Sequence, residues 1–454
     1  MSKQRRRRPA MTVVHEQAAG IDIGASEVYV CVPSESDAQP VRSFATFTAD
    51  LYQLADWLVT CEVTTVAMES TGVYWVPLYE ILESCGIEVC LVNSQHLKRV
   101  PGRKSDVSDC QWLQQLHTYG LLQASFRPAD EICGLRTLVR QRAMLVECRA
   151  MHIQHMQKAL TLMNLRLTEV LSDISGETGL AIIRAIVAGE RNPQQLARLR
   201  DRRCAHSEAE IAKALTGHYK PEQLFALRQA LEAYDFYDTQ LRACDAEIER
   251  LYATWPHTPP PAGSPPPQPD THKRRKNQAY FDLTSALYQM VGVDLTAIDG
   301  VDALTIQTVL SEIGLDMSRW PTGKHFASWL GLAPKPEKSG GKVLRTYRPK
   351  TKQRAATALR LAAQSLARSQ SALGAFYRRL KARYGPAVAN VATAHKLARI
   401  IYAMLKHRQP YHDPGPTYYE QQFRERTLRR LQRQATQLGL ALVPLPALPQ
   451  PQVS

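Results

Sequence analysis

Residues 256–277 read PHTPPPAGSPPPQPDTHKRRKN, and their eight prolines constrain the fold of this chain more than any other feature. Each proline lacks a backbone N–H and holds φ near about −65°, so no helix or central strand runs through such a stretch. It is expected to be a semi-extended linker with a basic cluster at its end. Whatever folds must fold on either side of it. At 454 residues there is chain enough for two or three domains with real cores. The pattern divides it into a basic arm expected to be disordered (1–17), an α/β domain (18–130), a helical or coiled-coil region (131–255), the linker (256–277), a mostly helical unit (278–412) and a tail (413–454).

In the α/β segment, β-type runs (AGIDIG, VYVCVP, VRSFATF, TTVAMES, IEVCLVN) are interrupted by two helical ones. TADLYQLADWLVTC sets Leu51, Leu54, Trp57 and Leu58 on one helical face, with Thr48 as the expected cap. YWVPLYEILESCG is a second helix closed by Gly86. The order β-β-β-α-β-α-β followed by a helix is that of a ribonuclease H-like domain.

Four carboxylates stand out. Asp22 lies mid-strand in GIDIG, where an acid costs free energy unless something compensates its charge. Glu69 ends TTVAMES, and Asp106 and Asp109, three apart in KSDVSDCQWLQQL, share a helix face. In a ribonuclease H-like sheet the first strand is central, the fourth lies beside it and a late helix packs across their ends, so the four acids would converge. Carboxylates gathered at one point need divalent cations, and hard oxygen ligands favour Mg²⁺, with Mn²⁺ as the alternative. Two such ions suit phosphoryl transfer, activating one oxygen and stabilising another. Singly, Asp106 also reads as a helix cap, Asp109 as a first-turn acid and Glu69 as a solvated strand end. GIDIG has a rival in the phosphate turn of sugar kinases, but the further glycine-rich loops those need are absent.

The helical region steps Ile153, Met156, Leu160, Met163 and Leu167 at heptad spacing, with a break near GERNPQQ. Long antiparallel helices or a coiled coil are expected. Beyond the linker, Lys338 to His412 hold seventeen Lys and Arg and no Asp or Glu. Solvated surfaces mix both signs, so this run is expected to lie against a polyanion. Ser339, followed by Gly340 and Gly341, opens it; a plain Ser-Gly-Gly turn is the alternative. A net charge of +15 points the same way, to nucleic acid or an anionic membrane surface. No run of eighteen apolar residues predicts a membrane span, and Arg5 to Arg8 read as a phosphate-touching arm without a secretory signal's apolar core. Nine cysteines without CxxC spacing predict a reducing compartment, with neither disulfides nor zinc. A soluble, cytoplasmic protein is expected.

Other motifs take plainer readings. His152 and His155 lie among heptad positions without acidic or cysteine partners, and Tyr347 lacks the Arg–His–Arg framework of a tyrosine recombinase. AIDGVDALTIQTVLSEIG is like a helix–hairpin–helix with Gly300 in place, but Asp302 stands where a second glycine is usual, and Thr305 is the expected cap. Trp75, Trp112 and Trp329 are expected in the core.

GIDIG, AMESTGVYW, RKSDVSDCQWLQQLHTYGLL with FRP after it, HFASWLGLAP and SGGKVL occur in that order. Together they resemble the insertion-sequence 110 family of transposases, over roughly residues 18–165 and 295–408. The resemblance implies a RuvC-like domain, a coiled-coil region and a C-terminal transposase domain. It places the acidic tetrad on Asp22, Glu69, Asp106 and Asp109 and the nucleophilic serine on Ser339. Lys338 stands where relatives commonly have a further serine, which leaves Ser339 as the only candidate. It further implies donor and target DNA, a structured non-coding guide RNA and a homo-oligomer, dimer or tetramer, in a prokaryotic cytoplasm in association with the nucleoid. On this reading Gly340 and Gly341 let a phosphodiester approach the backbone, while Lys342, Arg345 and Arg348 neutralise its oxygens. A Holliday-junction-resolving nuclease using water, and a nucleic-acid-binding protein on an inactive scaffold, are the alternatives.

Overall fold

The computed structural model describes residues 12–70, 72–93, 106–261, 266–267, 276–347 and 353–443. The chain divides into two compact units, Met1–Arg127 and Pro128–Ser454. The helical region and the serine-bearing segment thus belong to one unit.

The first unit runs β1 (Ala18–Ile23), β2 (Glu27–Cys31), β3 (Val41–Ala45), α1 (Thr48–Thr60), β4 (Thr65–Glu69), α2 (Trp75–Ser84), β5 (Glu88–Val92) and α3 (Asp106–Thr118). The sheet order is β3-β2-β1-β4-β5. β1 is antiparallel to β2 and parallel to β4, which is parallel to β5. Alternation along the strands assigns the faces. Ala19, Ile21 and Ile23 of β1 and Val66 and Met68 of β4 join Leu51, Leu54 and Leu58 of α1 and Leu78 and Leu82 of α2 in one core. The intervening residues, Gly20 and Asp22 on β1 and Ala67 and Glu69 on β4, face the other side, which α3 covers. Two expectations are corrected. Phe47, not Thr48, precedes α1, and no side chain caps it, because Thr48 is already its first helical residue. Trp112 is 36% exposed, since the neighbouring Cys110 and Leu113 supply the face that α3 turns to the sheet.

In the second unit, α4 (Asp130–Leu162) and α9 (Pro221–Ala253) each run 33 residues. The pairs Arg142–Asp245 and Arg149–Asp238 join them in opposite order, so the two helices are antiparallel. These buried charges are compensated in full: Asp245 also accepts from the Tyr280 N–H at 3.0 Å, and Arg142 donates to the Asn277 carbonyl at 3.0 Å. Between them lie α5 (Leu167–Val170), α6 (Glu177–Ala188), α7 (Pro193–Ala197) and α8 (Glu208–Ala214). Gly189, at φ 111°, ends α6, and the Asn192 side chain caps α7, which makes the expected break. The heptad residues Ile153 to Leu167 are buried with Ile182 and Ile186 of α6, Ile211 of α8 and Leu227 of α9. α4 itself stops at Leu162.

The remainder comprises α10 (Leu283–Val291), α11 (Ala303–Ile313), α12 (Gly323–Trp329), a hairpin of β6 (Lys335–Ser339) and β7 (Lys342–Tyr347), then α13 (Arg354–Ser365), α14 (Ala372–Tyr384), α15 (Pro386–His407) and α16 (Gly415–Gln437). The start of the proline stretch is tied down: Thr258 donates its N–H to the Gln289 carbonyl and its hydroxyl to that of Met290. Asp302 caps α11 by accepting from the Thr305 N–H at 2.8 Å. The cap is therefore the aspartate, and Thr305 is its donor. Arg136 donates to the Ser311 and Glu312 carbonyls at 3.0 and 2.8 Å, satisfying the end of α11 and fixing it to α4. His152 is half-buried and stacks on Tyr237, while His155 is exposed. Among the described residues no helix is long and apolar enough to cross a membrane.

Candidate active site

Gly20 sets the geometry of the acidic residues. A Cβ on it would lie 2.2 Å from the Cys110 carbonyl oxygen and 2.3 Å from the Gln114 nitrogen, so the backbone of α3 rests directly on β1 here. A second contact orients the helix: His117, near its end, is 2.9 Å from the hydroxyl of Thr65, the first residue of β4. With the helix end over the strand start, α3 runs antiparallel to β1 and β4. Its first turn, with Asp106 and Asp109, therefore lies towards the edge where those strands finish.

That edge carries the other two acids. β1 and β4 pair in register as far as Ile21 with Met68. The next residue along each strand is Asp22 or Glu69, and both sit on the face that α3 covers. Asp22, Glu69 and Asp109 are all half-buried. The charge of Asp22 reaches α3: the Cys110 thiol, next to Asp109, is pushed up to about 12 by burial first, then by Cys31 and Asp22. Glu69 is held where the chain leaves the strand, since Ser70 donates both its N–H (2.8 Å) and its hydroxyl (3.0 Å) to the Val92 carbonyl. The side chain of Asp106 lies outside the described residues. Among the described residues no group of three or more His, Cys, Asp or Glu is close enough to hold a metal ion. Asp22, Glu69 and Asp109 are carboxylates on the face and towards the edge just described, and oxygen ligands of this kind suit a hard divalent cation.

His117 escaped the sequence reading. It is 4% exposed, stacked on His15 at 4.7 Å, and burial holds its ring down at about 4, with His15 adding to the effect. It is neutral at physiological pH and, through its contact with Thr65, holds the end of α3 to the start of β4. Gly20 was also passed over; a glycine inside an apolar strand was the available sign of a close approach.

Ser339 stands at the tip of the hairpin, where it pairs with Lys342. Gly340 and Gly341 form the two-residue turn with φ of 53° and 77°. Two consecutive left-handed residues are the requirement of a type I′ turn, which follows the twist of the strands. Every residue of β6 and β7 is exposed. Among the described residues the Ser339 hydroxyl makes no hydrogen bond. Arg345 is paired with Glu337 across the hairpin, which draws on a charge that the sequence reading assigned to phosphate. Lys342 is exposed, and Arg348 lies outside the described residues.

Residues 19–165 match a family model described as a transposase, of the DEDD IS110 type, and residues 294–378 match one described as the transposase IS116/IS110/IS902 family. The first match spans all four acids and the second spans Ser339. Together they take in just over half of the chain. Comparison with curated proteins finds no match.

Proposed function

Because the chain belongs to the insertion-sequence 110 family of transposases, we propose that it cleaves and rejoins DNA strands through a covalent phosphoserine on Ser339. What supports this reading is the seating of α3 on Gly20, which turns the end of α3 that bears Asp109 towards the edge where β1 and β4, with Asp22 and Glu69 near their ends, finish. The strand order β3-β2-β1-β4-β5 supports a RuvC-like, ribonuclease H-like domain. Asp22, Glu69, Asp106 and Asp109 would hold Mg²⁺ or Mn²⁺, which supplies charge neutralisation at the attacking and leaving oxygens when bound.

The chain's own residues account for the rest. The Ser339 oxygen forms a bond to phosphorus while a DNA hydroxyl leaves with the electron pair of the broken P–O bond and a proton. A hydroxyl of a second strand then takes the phosphate back and releases the serine. The link conserves the phosphodiester, so rejoining needs no external energy source. Lys342 neutralises phosphate oxygens beside the serine, and Arg345 does so once released from Glu337. A serine hydroxyl is a weak nucleophile and needs activation. A composite site, with the acids of one protomer serving the serine of another, supplies it in a dimer or tetramer. A structured non-coding RNA as guide belongs to this proposal on the strength of the family resemblance.

The carboxylates gathered at one sheet edge also suit a second reading, a junction-resolving nuclease in which the acids act with water. End-labelled DNA, incubated with protein, Mg²⁺ and guide RNA and then denatured, separates the two. The recombinase leaves protein-bound ends that Ser339→Ala abolishes. Free phosphate ends that persist in Ser339→Ala would establish the nuclease instead.

A further inference from the structure

The second unit pairs most of its described arginines in the helical region with carboxylates, as at Arg140, Arg142, Arg149, Arg184 and Arg203. Between α12 and α15 the pattern reverses. A cleft of about 720 Å³ is lined by Lys324 on one wall and by Lys396, Arg399 and Lys406 of α15 on the other, with Thr322 and Tyr402 between; among the described residues its lining holds no acid, and Asp413 lies behind it, accepting from the lining Tyr411 hydroxyl at 3.4 Å. Among the described residues none of these four cations is in a salt bridge. Offsets of three and seven residues put Lys396, Arg399 and Lys406 along one face of α15, over about 15 Å of helix. Lys406 is fixed by donating to the Tyr402 hydroxyl at 2.8 Å, and that hydroxyl donates to the Trp320 carbonyl at 2.7 Å.

Lys396 reports how unbalanced the local charge is. Its ammonium lies 4.8 Å from the Phe376 ring and 5.5 Å from that of Tyr419. Burial first, then Arg426 and Arg399, press its pKa downward, against Asp413 alone. Holding a partly desolvated cation among guanidiniums costs free energy that a bound anion would offset. A row of cations over about 15 Å suits a chain of phosphates better than a single one.

We propose that the cleft between α12 and α15 is a second phosphodiester-binding site, which takes the backbone of a nucleic-acid strand apart from the Ser339 hairpin. This rests on the nucleic-acid reading above and adds the track that holds the strand while the serine acts. The strand comes from either the guide RNA or the DNA, and the two are told apart by salt dependence.

The test measures binding of the full chain to a single-stranded RNA and to a duplex DNA across a salt series. Each lost phosphate contact lowers the slope of log K against log salt by about 0.7 on a single strand and about 0.9 on a duplex. Lys324 and Arg399 are exposed, so removing them leaves the fold intact. The Lys324→Gln/Arg399→Gln protein is expected to lose about 1.4 from the slope on RNA or about 1.8 on DNA, and the probe that loses it is the ligand. Lys324→Arg/Arg399→Lys keeps the slope. Lys158→Gln/Lys213→Gln, which removes the same net charge elsewhere on the second unit, leaves it unchanged. Wild-type slopes on both probes in the cleft variant would overturn the site while leaving the transposase reading in place. A wild-type protein that binds neither probe would overturn both.

Discussion

Substitutions in the Gly340–Gly341 turn separate two roles that the sequence alone left merged. Both residues are left-handed, at φ 53° and 77°, and a Cβ on either meets nothing within 4 Å. Alanine there pays only backbone strain, about 1–2 kcal/mol per residue, which converts to a loss of about 5- to 30-fold. The hairpin has no core to absorb it, since both strands are exposed throughout. Gly340→Ala and Gly341→Ala are therefore each expected to slow formation of the covalent protein–DNA adduct by that factor. Gly340→Asn is expected to fall short of the alanine loss, because asparagine enters the left-handed region with less strain. Initial rates of adduct formation on one DNA, with amide exchange at Val343 as a readout of hairpin order, make the comparison. If asparagine is as damaging as alanine while Val343 stays protected, the glycines serve to admit the phosphodiester, and the turn argument is refuted.

Gly20→Ala is expected to destabilise the first unit by about 1–3 kcal/mol, because its Cβ would meet α3 backbone at 2.2 Å; it should also lower metal-dependent activity as Asp109 shifts. Thermal unfolding checks it against Gly134→Ala, whose Cβ meets nothing. His117 is held neutral to about 4, against about 6.5 when unfolded. The unfolded state binds the proton first as pH falls, so this contribution is complete above about 6.5 and lost progressively from there down to about 4. Urea midpoints of the first unit should therefore drop over that window, and His117→Gln should flatten the drop. Asp22→Asn and Ser339→Ala proteins, each inactive alone, are expected to regain partial activity when mixed, measured as adduct after subunit exchange. Continued inactivity despite demonstrated exchange would place acids and serine in one chain.

Much of the first unit is legible because alternation and register are local properties. The apolar positions of GIDIG and TTVAMES assign their faces, and the faces of Asp22 and Glu69 follow. The seating of α3 is not local. It depends on Gly20 meeting Cys110 and Gln114 across ninety residues of sequence, which no spacing rule encodes. Charge counts marked Lys338 to His412 as a surface for a polyanion, yet could not tell paired from unpaired cations. Arg345 is taken by Glu337, one residue outside the acid-free run, whereas Arg399 is left to the cleft. The helix ends show the same limit: Asp302 and Thr305 are both reasonable caps by composition, and the backbone decides for the aspartate.

The central claim is that the oxygen of Ser339 takes a DNA phosphate. The direct measurement is mass spectrometry of the adduct after nuclease and protease digestion, with Mg²⁺ and DNA supplied to the full chain. A nucleotide remnant on the peptide that carries Ser339, absent from Ser339→Ala, is the predicted result. A remnant on any other residue, or cleavage without a remnant that survives in Ser339→Ala, would contradict it.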